Sequence, residues 1–309
     1  MKKLISPLTL FLAGSAAGII IISLLAFRNE QVQQVAGAPN TAKNDQVYNW
    51  TSPPLPSKID FAGEEAPLHR WEVKEQLDRE VLFNYYYQNN ILYMLKLAGR
   101  YFPLIEERLK ANGLPDDFKY LCIAESNLAN AISRAGAVGF WQFMKGTAPG
   151  YDIEITDNVD ERYHVTKSTD AACQYLRAAY SKFGSWTAAA ASYNCGMGGF
   201  NSHSTFQQTT NYYDLILPDE TQRYIFRILA FKYLMTNADK LGYRLPETER
   251  YKPVATRSIT VTSSIPNLST FAREQGTTYK MLKWHNPWLR SRTLPVKSGK
   301  SYVIVLPAK

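Results

Sequence analysis

From Leu68 to about Tyr243 apolar residues recur at steps of three and four, the spacing at which one face of an α-helix meets a core. Leu77, Val81, Leu82, Tyr85 and Tyr86 form one stripe, and Ile91, Leu92, Leu95 and Leu97 a second. Phe102, Ile105 and Leu109 form a third, ended by Asn112-Gly113. Leu114-Pro115-Asp116-Asp117 then reads as a helix start, with a proline near the first turn and acids at the positive end. The helix that follows runs Phe118-Lys119-Tyr120-Leu121-Cys122-Ile123-Ala124-Glu125. Further helices are expected over 169–183, 186–192 and 220–235, with no convincing alternating run among them, so this span predicts an all-α domain.

After Tyr251 the period shortens. Residues 258–262 and 301–306 alternate as strands around two short helical stretches, 268–275 and 279–284. The expected fold class is mainly α: an all-helical domain (68–250) followed by a small β-α-α-β module (251–309).

The N-terminal part constrains location. Lys2 and Lys3 precede an uncharged run from Leu4 to Phe27, 24 residues long. As a helix it would measure roughly 36 Å, enough for a ~30 Å hydrocarbon layer. Residues 1–27 are therefore expected to be a signal anchor with its N-terminus inside and everything after Arg28 outside. Ala36-Gly37-Ala38 leaves cleavage to a soluble exported form as the alternative. Residues 28–67, with five prolines and no sustained period, read as a flexible linker.

Charge is segregated. Residues 252–309 hold ten Lys/Arg against one acid, Glu274, for +9, which leaves −1 on everything before them. Such a tail suits nucleic acid, an anionic membrane or an acidic polymer without choosing among them. Cys122, Cys173 and Cys195 read as small buried apolar residues, and the four histidines lack ligand spacing. No metal and no cofactor is expected.

Glu125 is the chemically interesting residue, because it sits in a helix whose other residues read as core. Burial raises a carboxyl's pKa from about 4.3 towards neutrality, where it can give up a proton. A solvent-facing acid at a helix end is the alternative, since Ser126-Asn127 follow at once. Beyond it come Ser133-Arg134-Ala135-Gly136-Ala137-Val138-Gly139-Phe140-Trp141-Gln142-Phe143-Met144 and Ala191-Ser192-Tyr193-Asn194-Cys195-Gly196.

Taken in order with Glu125-Ser126, these blocks resemble the lytic transglycosylases of goose-lysozyme-like fold, in particular the membrane-bound D-type branch. Asp160-Glu161-Arg162, Leu217-Pro218-x-Glu220-Thr221 and Gly113-Leu114-Pro115 extend the likeness over roughly residues 58 to 245. Phe140 stands where that family usually has Leu, and Ser192 where it has Ala; neither change removes a functional group.

The resemblance implies Glu125 as the catalytic residue and Ser133, Gln142, Tyr193 and Asn194 as substrate-binding residues. Ser133 and Gln142 offer hydrogen bonds to a sugar and its N-acetyl group, Tyr193 a flat face with a polar tip, and Asn194 a bond to substrate or to Glu125. Turn formation for Ser133 and Asn194, a core hydrogen bond for Gln142 and packing for Tyr193 are their alternatives. Asp160, Glu161 and Arg162 read as an ion-pair and capping cluster, and Glu220 as a stabilising first-turn acid.

The implied scheme uses one carboxyl, which protonates the oxygen leaving N-acetylmuramic acid and then helps close a 1,6-anhydro ring. A hydrolase of the same fold and a silent wall-binding scaffold are the competing expectations. The C-terminal module resembles a divergent LysM domain, carried by Leu268-x-x-Phe271-Ala272, Leu282, Asn286-Pro287 and Val305-Leu306-Pro307, with Ser263-Ser264 in place of the usual Gly-Asp. The partners implied are peptidoglycan glycan strands and, through the anchor, the inner membrane; nucleic acid is not among them. The chain is expected to act as a monomer on the periplasmic side of the inner membrane.

Overall fold

The computed structural model describes residues 51–308. The expected anchor and the linker up to residue 50 lie outside the described residues.

Six helices make the body: α1 (Trp71–Tyr85), α2 (Gln88–Ala111), α3 (Phe118–Ser126), α4 (Val165–Phe183), α5 (Trp186–Gln207) and α6 (Asp219–Thr236). Each buries the stripe its sequence advertises, Leu77 and Val81 on α1, Ile91, Leu95, Ile105 and Leu109 on α2, and Ile225, Leu229 and Leu234 on α6. Helix α6 packs against α1 and α3, α4 against α5, and α2 against α4, closing one apolar core.

Two stripes read as separate share the single helix α2, which carries Pro103 within it. Helix α5 also runs past its expected end at 192. It bends at Gly196, whose φ of 78° lies in the left-handed region that only glycine enters freely.

Part of the expected linker belongs to the fold. Ile59, Phe61 and Ala66 are buried in the body's core, and Asp60–Phe61 (β1) pairs antiparallel with Glu64–Glu65 (β2). Two ionic ties explain why. Lys232 Nζ binds Asp60 Oδ1 at 3.1 Å and Asp117 Oδ2 at 2.7 Å, while the Ala62 amide donates to the same Asp117 oxygen at 2.7 Å. Asp117 thus serves the hairpin rather than capping α3 with its side chain. Glu64 accepts from Ser185 Oγ at 2.7 Å and from the Trp186 and Thr187 amides at 2.6 and 2.8 Å, filling the start of α5 where backbone N–H groups lack helical partners.

The C-terminal module has the expected order: β3 (Thr256–Val261), α7 (Leu268–Glu274), α8 (Tyr279–His285) and β4 (Tyr302–Pro307). The strands pair antiparallel from Thr256↔Pro307 to Val261↔Tyr302. Asn267 and Thr278 cap the two helices with their side chains. Fully buried Asn286 ties α8 to β4, donating to the Val305 carbonyl at 2.6 Å and accepting from its amide at 2.8 Å. Among the described residues no helix is long and apolar enough to cross a membrane.

Candidate active site

Glu125 is the next-to-last residue of α3 and half-buried. The helix stops behind it because Asn127 and Leu128 both take positive φ, 52° and 59°, with the Asn127 amide still bonded to the Ile123 carbonyl at 2.8 Å. Leu121, Cys122 and Ile123 are fully buried, which fixes the helix and aims the one acid among them. Burial pushes the Glu125 carboxyl up to about 7; the nearby charge of Glu220 adds to this, and a hydrogen bond from Tyr224 and the charge of Arg227 pull the other way. A negative group at a helix C-terminus is disfavoured by the backbone dipoles as well.

Tyr224 Oη donates directly to Glu125 Oε1. The tyrosine is 1% exposed on α6, and its own hydroxyl is pushed well above the usual range by burial and then by Glu125. Glu220 and Tyr224 lie four residues apart, so one face of α6 brings both to the acid. Sequence reasoning missed Tyr224 and treated Glu220 as a bystander. The four-residue spacing from Glu220 in a buried helix was the available signal.

Tyr193 sits on α5 just before the Gly196 bend, close enough for Glu125's charge to raise its hydroxyl pKa, after burial as the main cause. Its Oη donates to the Trp141 carbonyl at 2.8 Å, tying α5 to the loop between α3 and α4. Its ring packs edge-on against Tyr175 and Phe143, at 5.0 and 6.0 Å between centroids. Asn194 does not hold Glu125. Its Oδ1 accepts from Thr221 Oγ1 at 2.7 Å, and its Nδ2 reaches Glu220 Oε1 at 3.5 Å.

Gln142 and Ser133 belong to the loop between α3 and α4. Gln142 takes a φ of 48°, and its Nε2 donates to the carbonyls of Gly139 at 2.7 Å and Ala131 at 3.2 Å. Both amide hydrogens are used, which turns Oε1 into the free acceptor of the side chain. Ser133 Oγ accepts from the Ala137 amide at 3.0 Å within a tight turn, keeping its own hydrogen to donate.

Beneath this loop lies the acidic and basic cluster. Arg162 and Asp160 are buried and paired twice, at 2.9 and 2.7 Å, and Arg162 Nη1 donates to the carbonyls of Gly136 and Phe143, each at 3.2 Å. Gly139 makes that approach possible, since a Cβ there would sit 2.0 Å from the Arg162 carbonyl oxygen. The cluster is structural, as its sequence suggested, and it holds the loop bearing Ser133 and Gln142. Cys122 and Cys173 are buried and Cys195 half-buried, all three unpaired with one another.

Residues 102–216 match the family model of the transglycosylase SLT domain, and residues 257–309 that of the soluble lytic transglycosylase C-terminal LysM-like domain. Two curated relatives carry the name membrane-bound lytic murein transglycosylase D, one from Escherichia coli strain K12 and one from Escherichia coli strain CFT073. Each is 30% identical over 214 residues, covering 67% of this chain and 46% of the relative. The chain thus spans just under half the length of the curated relatives it matches.

Proposed function

The chain belongs to the transglycosylase SLT domain family, with a C-terminal segment of the LysM-like family, and on that premise we propose that it is a peptidoglycan lytic transglycosylase with Glu125 as its one acid and base. Burial pushes the Glu125 carboxyl up to about 7, beside the Tyr224 hydroxyl that donates to it and within reach of the charge of Glu220. That observation carries the proposal, because a carboxyl of this kind holds a proton at neutral pH and can also take one back.

Protonated Glu125 gives its proton to the glycosidic oxygen as the bond from C1 of N-acetylmuramic acid to that oxygen breaks. The N-acetyl group assists at C1. The Glu125 carboxylate then accepts the proton of the C6 hydroxyl as its oxygen bonds to C1, which leaves a 1,6-anhydro end and consumes no water. Tyr224 stabilises the carboxylate stage by donating to it. Ser133 and the free oxygen of Gln142 face the role of orienting the sugar, Tyr193 packs beside the acid, and Asn194 positions α6 through Thr221.

A hydrolytic outcome has one observation in its favour: Glu220 is a second carboxylate whose charge reaches Glu125, and paired carboxylates are the usual requirement of hydrolysis. Mass spectrometry of digested peptidoglycan separates the two. Anhydro ends are expected; reducing ends would assign the enzyme to the hydrolases and Glu220 to the water. For location, the apolar run 4–27 supports an inner-membrane anchor facing the periplasm, in keeping with relatives that are named membrane-bound. The protein is proposed to act there as a monomer.

A further inference from the structure

Ser133 and Gln142 sit on the long connection between α3 and α4, residues 127–164, whose regular parts are two single helical turns, Ala148–Tyr151 and Glu161–Tyr163. Such a stretch has no helical ladder to keep its shape. Its order comes from what it packs against.

Two cores share it. Phe140, Trp141 and Phe143 are buried in the core of the helical body, whereas Val138 is buried in the core of the C-terminal module, in one cluster with Leu282, Leu289 and Leu294. Val138 is also the hub of the loop: it exchanges two backbone bonds with Phe143, each 3.1 Å, and bridges to Ile132 on its other side. Ser133 Oγ is bonded to Ala137 and Gln142 Nε2 to Gly139, which are the two chain neighbours of Val138.

The module grips the later part of the same connection through its backbone. Val159 bridges to Leu289, the Asp160 amide donates to the Trp288 carbonyl at 2.9 Å, and the Arg290 amide donates to the Asn158 carbonyl at 2.7 Å. Lys300 Nζ and Tyr302 Oη donate to Glu154 at 2.6 and 3.0 Å, and the Arg290 guanidinium lies 4.0 Å from the centroid of the Tyr163 ring. From Asp160 the line continues to Arg162, whose Nη1 holds the carbonyls of Gly136 and Phe143. Glu125 stands outside this arrangement, because α3 and α6 are fixed by the body's own core.

We propose that the C-terminal module takes part in the reaction as a clamp on the substrate loop. Leu289 and Arg290 are positioning residues, which hold Ser133 and Gln142 in place for the sugar through Val138 and through the Asp160–Arg162 pair. Slack in the loop then weakens the grip on substrate and spares proton transfer, so KM responds while kcat and the pH profile do not. The proposal rests on the proposed function for the roles of Ser133 and Gln142.

The test compares full-length parent, Leu289→Ala, Leu289→Met and Arg290→Ala. On a soluble tetrasaccharide of alternating N-acetylglucosamine and N-acetylmuramic acid, Leu289→Ala is expected to raise KM roughly threefold at unchanged kcat and unchanged alkaline limb, and Leu289→Met to restore it. In hydrogen exchange, the bonded amides of Val138, Gly139 and Phe143 should open roughly tenfold more often in Leu289→Ala, beyond any change at Leu121, Cys122 and Ile123 of α3. A parental KM overturns the proposal, and so does a raised KM without faster loop exchange. A lower kcat alone, with loop and α3 amides speeding up equally, would mean mere loss of folded protein and overturns it too. If the parent cuts no glycan, the proposed function falls, while the exchange comparison still decides whether the module clamps the loop. Should Leu289→Ala fail to fold, Arg290→Ala at its exposed position is read the same way, with a KM rise of roughly twofold.

Discussion

Around Glu125 and along the seam, the same chain treats its polar groups in opposite ways. Around the acid, Tyr224 donates to Glu125 itself, Tyr193 Oη donates to the Trp141 carbonyl and Asn194 Oδ1 accepts from Thr221, so the perturbed carboxyl sits in a bonded frame. At the seam between the helical body and the C-terminal module, where residues 158–160 meet 288–290, Trp288 Nε1 and His285 Nε2 are buried without partners among the described residues. A reacting group is best served by neighbours that need not reorganise, whereas a packing interface between two modules can leave a polar atom closed off from every partner.

The largest effect should come from the acid itself. Glu125→Gln is expected to abolish release of muropeptides while keeping the fold, because the amide cannot give and retake a proton. Near-normal turnover in that variant would remove Glu125 from the mechanism.

Next is the frame. Arg162→Ala leaves Asp160 buried without its partner and frees the carbonyls of Gly136 and Phe143, so a loss of about 3–5 kcal/mol is expected in denaturant unfolding. A loss below about 1 kcal/mol would show that the loop holding Ser133 and Gln142 is supported in some other way.

A smaller effect sharpens the contrast at the seam. Residues 138, 159 and 163 bury their side chains against the module, so body and module are expected to melt in one cooperative transition, lowered by about 1–2 kcal/mol in Val159→Ala. Two separate transitions would mean that the module folds and unfolds by itself.

The smallest concerns Tyr224. Its hydrogen bond favours the carboxylate, so Tyr224→Phe should move the alkaline limb of the pH–rate profile upward, by up to about one unit. An unchanged or lowered limb would show that the bond does not set the acid's proton affinity.

Much of this was legible in the sequence, for identifiable reasons. Helix stripes such as Leu77 and Val81 declare themselves because their partners lie one turn away, and the strands of the module alternate because one face is buried. Glu125 was readable as an acid inside an apolar helix. The hairpin at 60–65 was not, since its ties to Lys232 and Ser185 span more than a hundred residues of chain. The bend at Gly196 and the use of the Tyr193 hydroxyl on Trp141 are likewise tertiary facts, and so is the seam, where residues 158–160 meet 288–290. Local pattern carries no record of which distant backbone a side chain will satisfy.

Direct titration of the Glu125 carboxyl, by carbon-detected NMR on the full chain with Glu125→Gln as the assignment control, tests the central claim. The account predicts a midpoint of about 7, and with it a stability that falls as pH rises. Below about 4.5 the carboxyl is protonated both folded and unfolded. Between about 4.5 and 7 the unfolded chain loses the proton first, which costs the fold on the order of 3 kcal/mol, a dependence that Glu125→Gln should abolish. A midpoint near the ordinary 4.5, with no change in the pH dependence of stability, would contradict it.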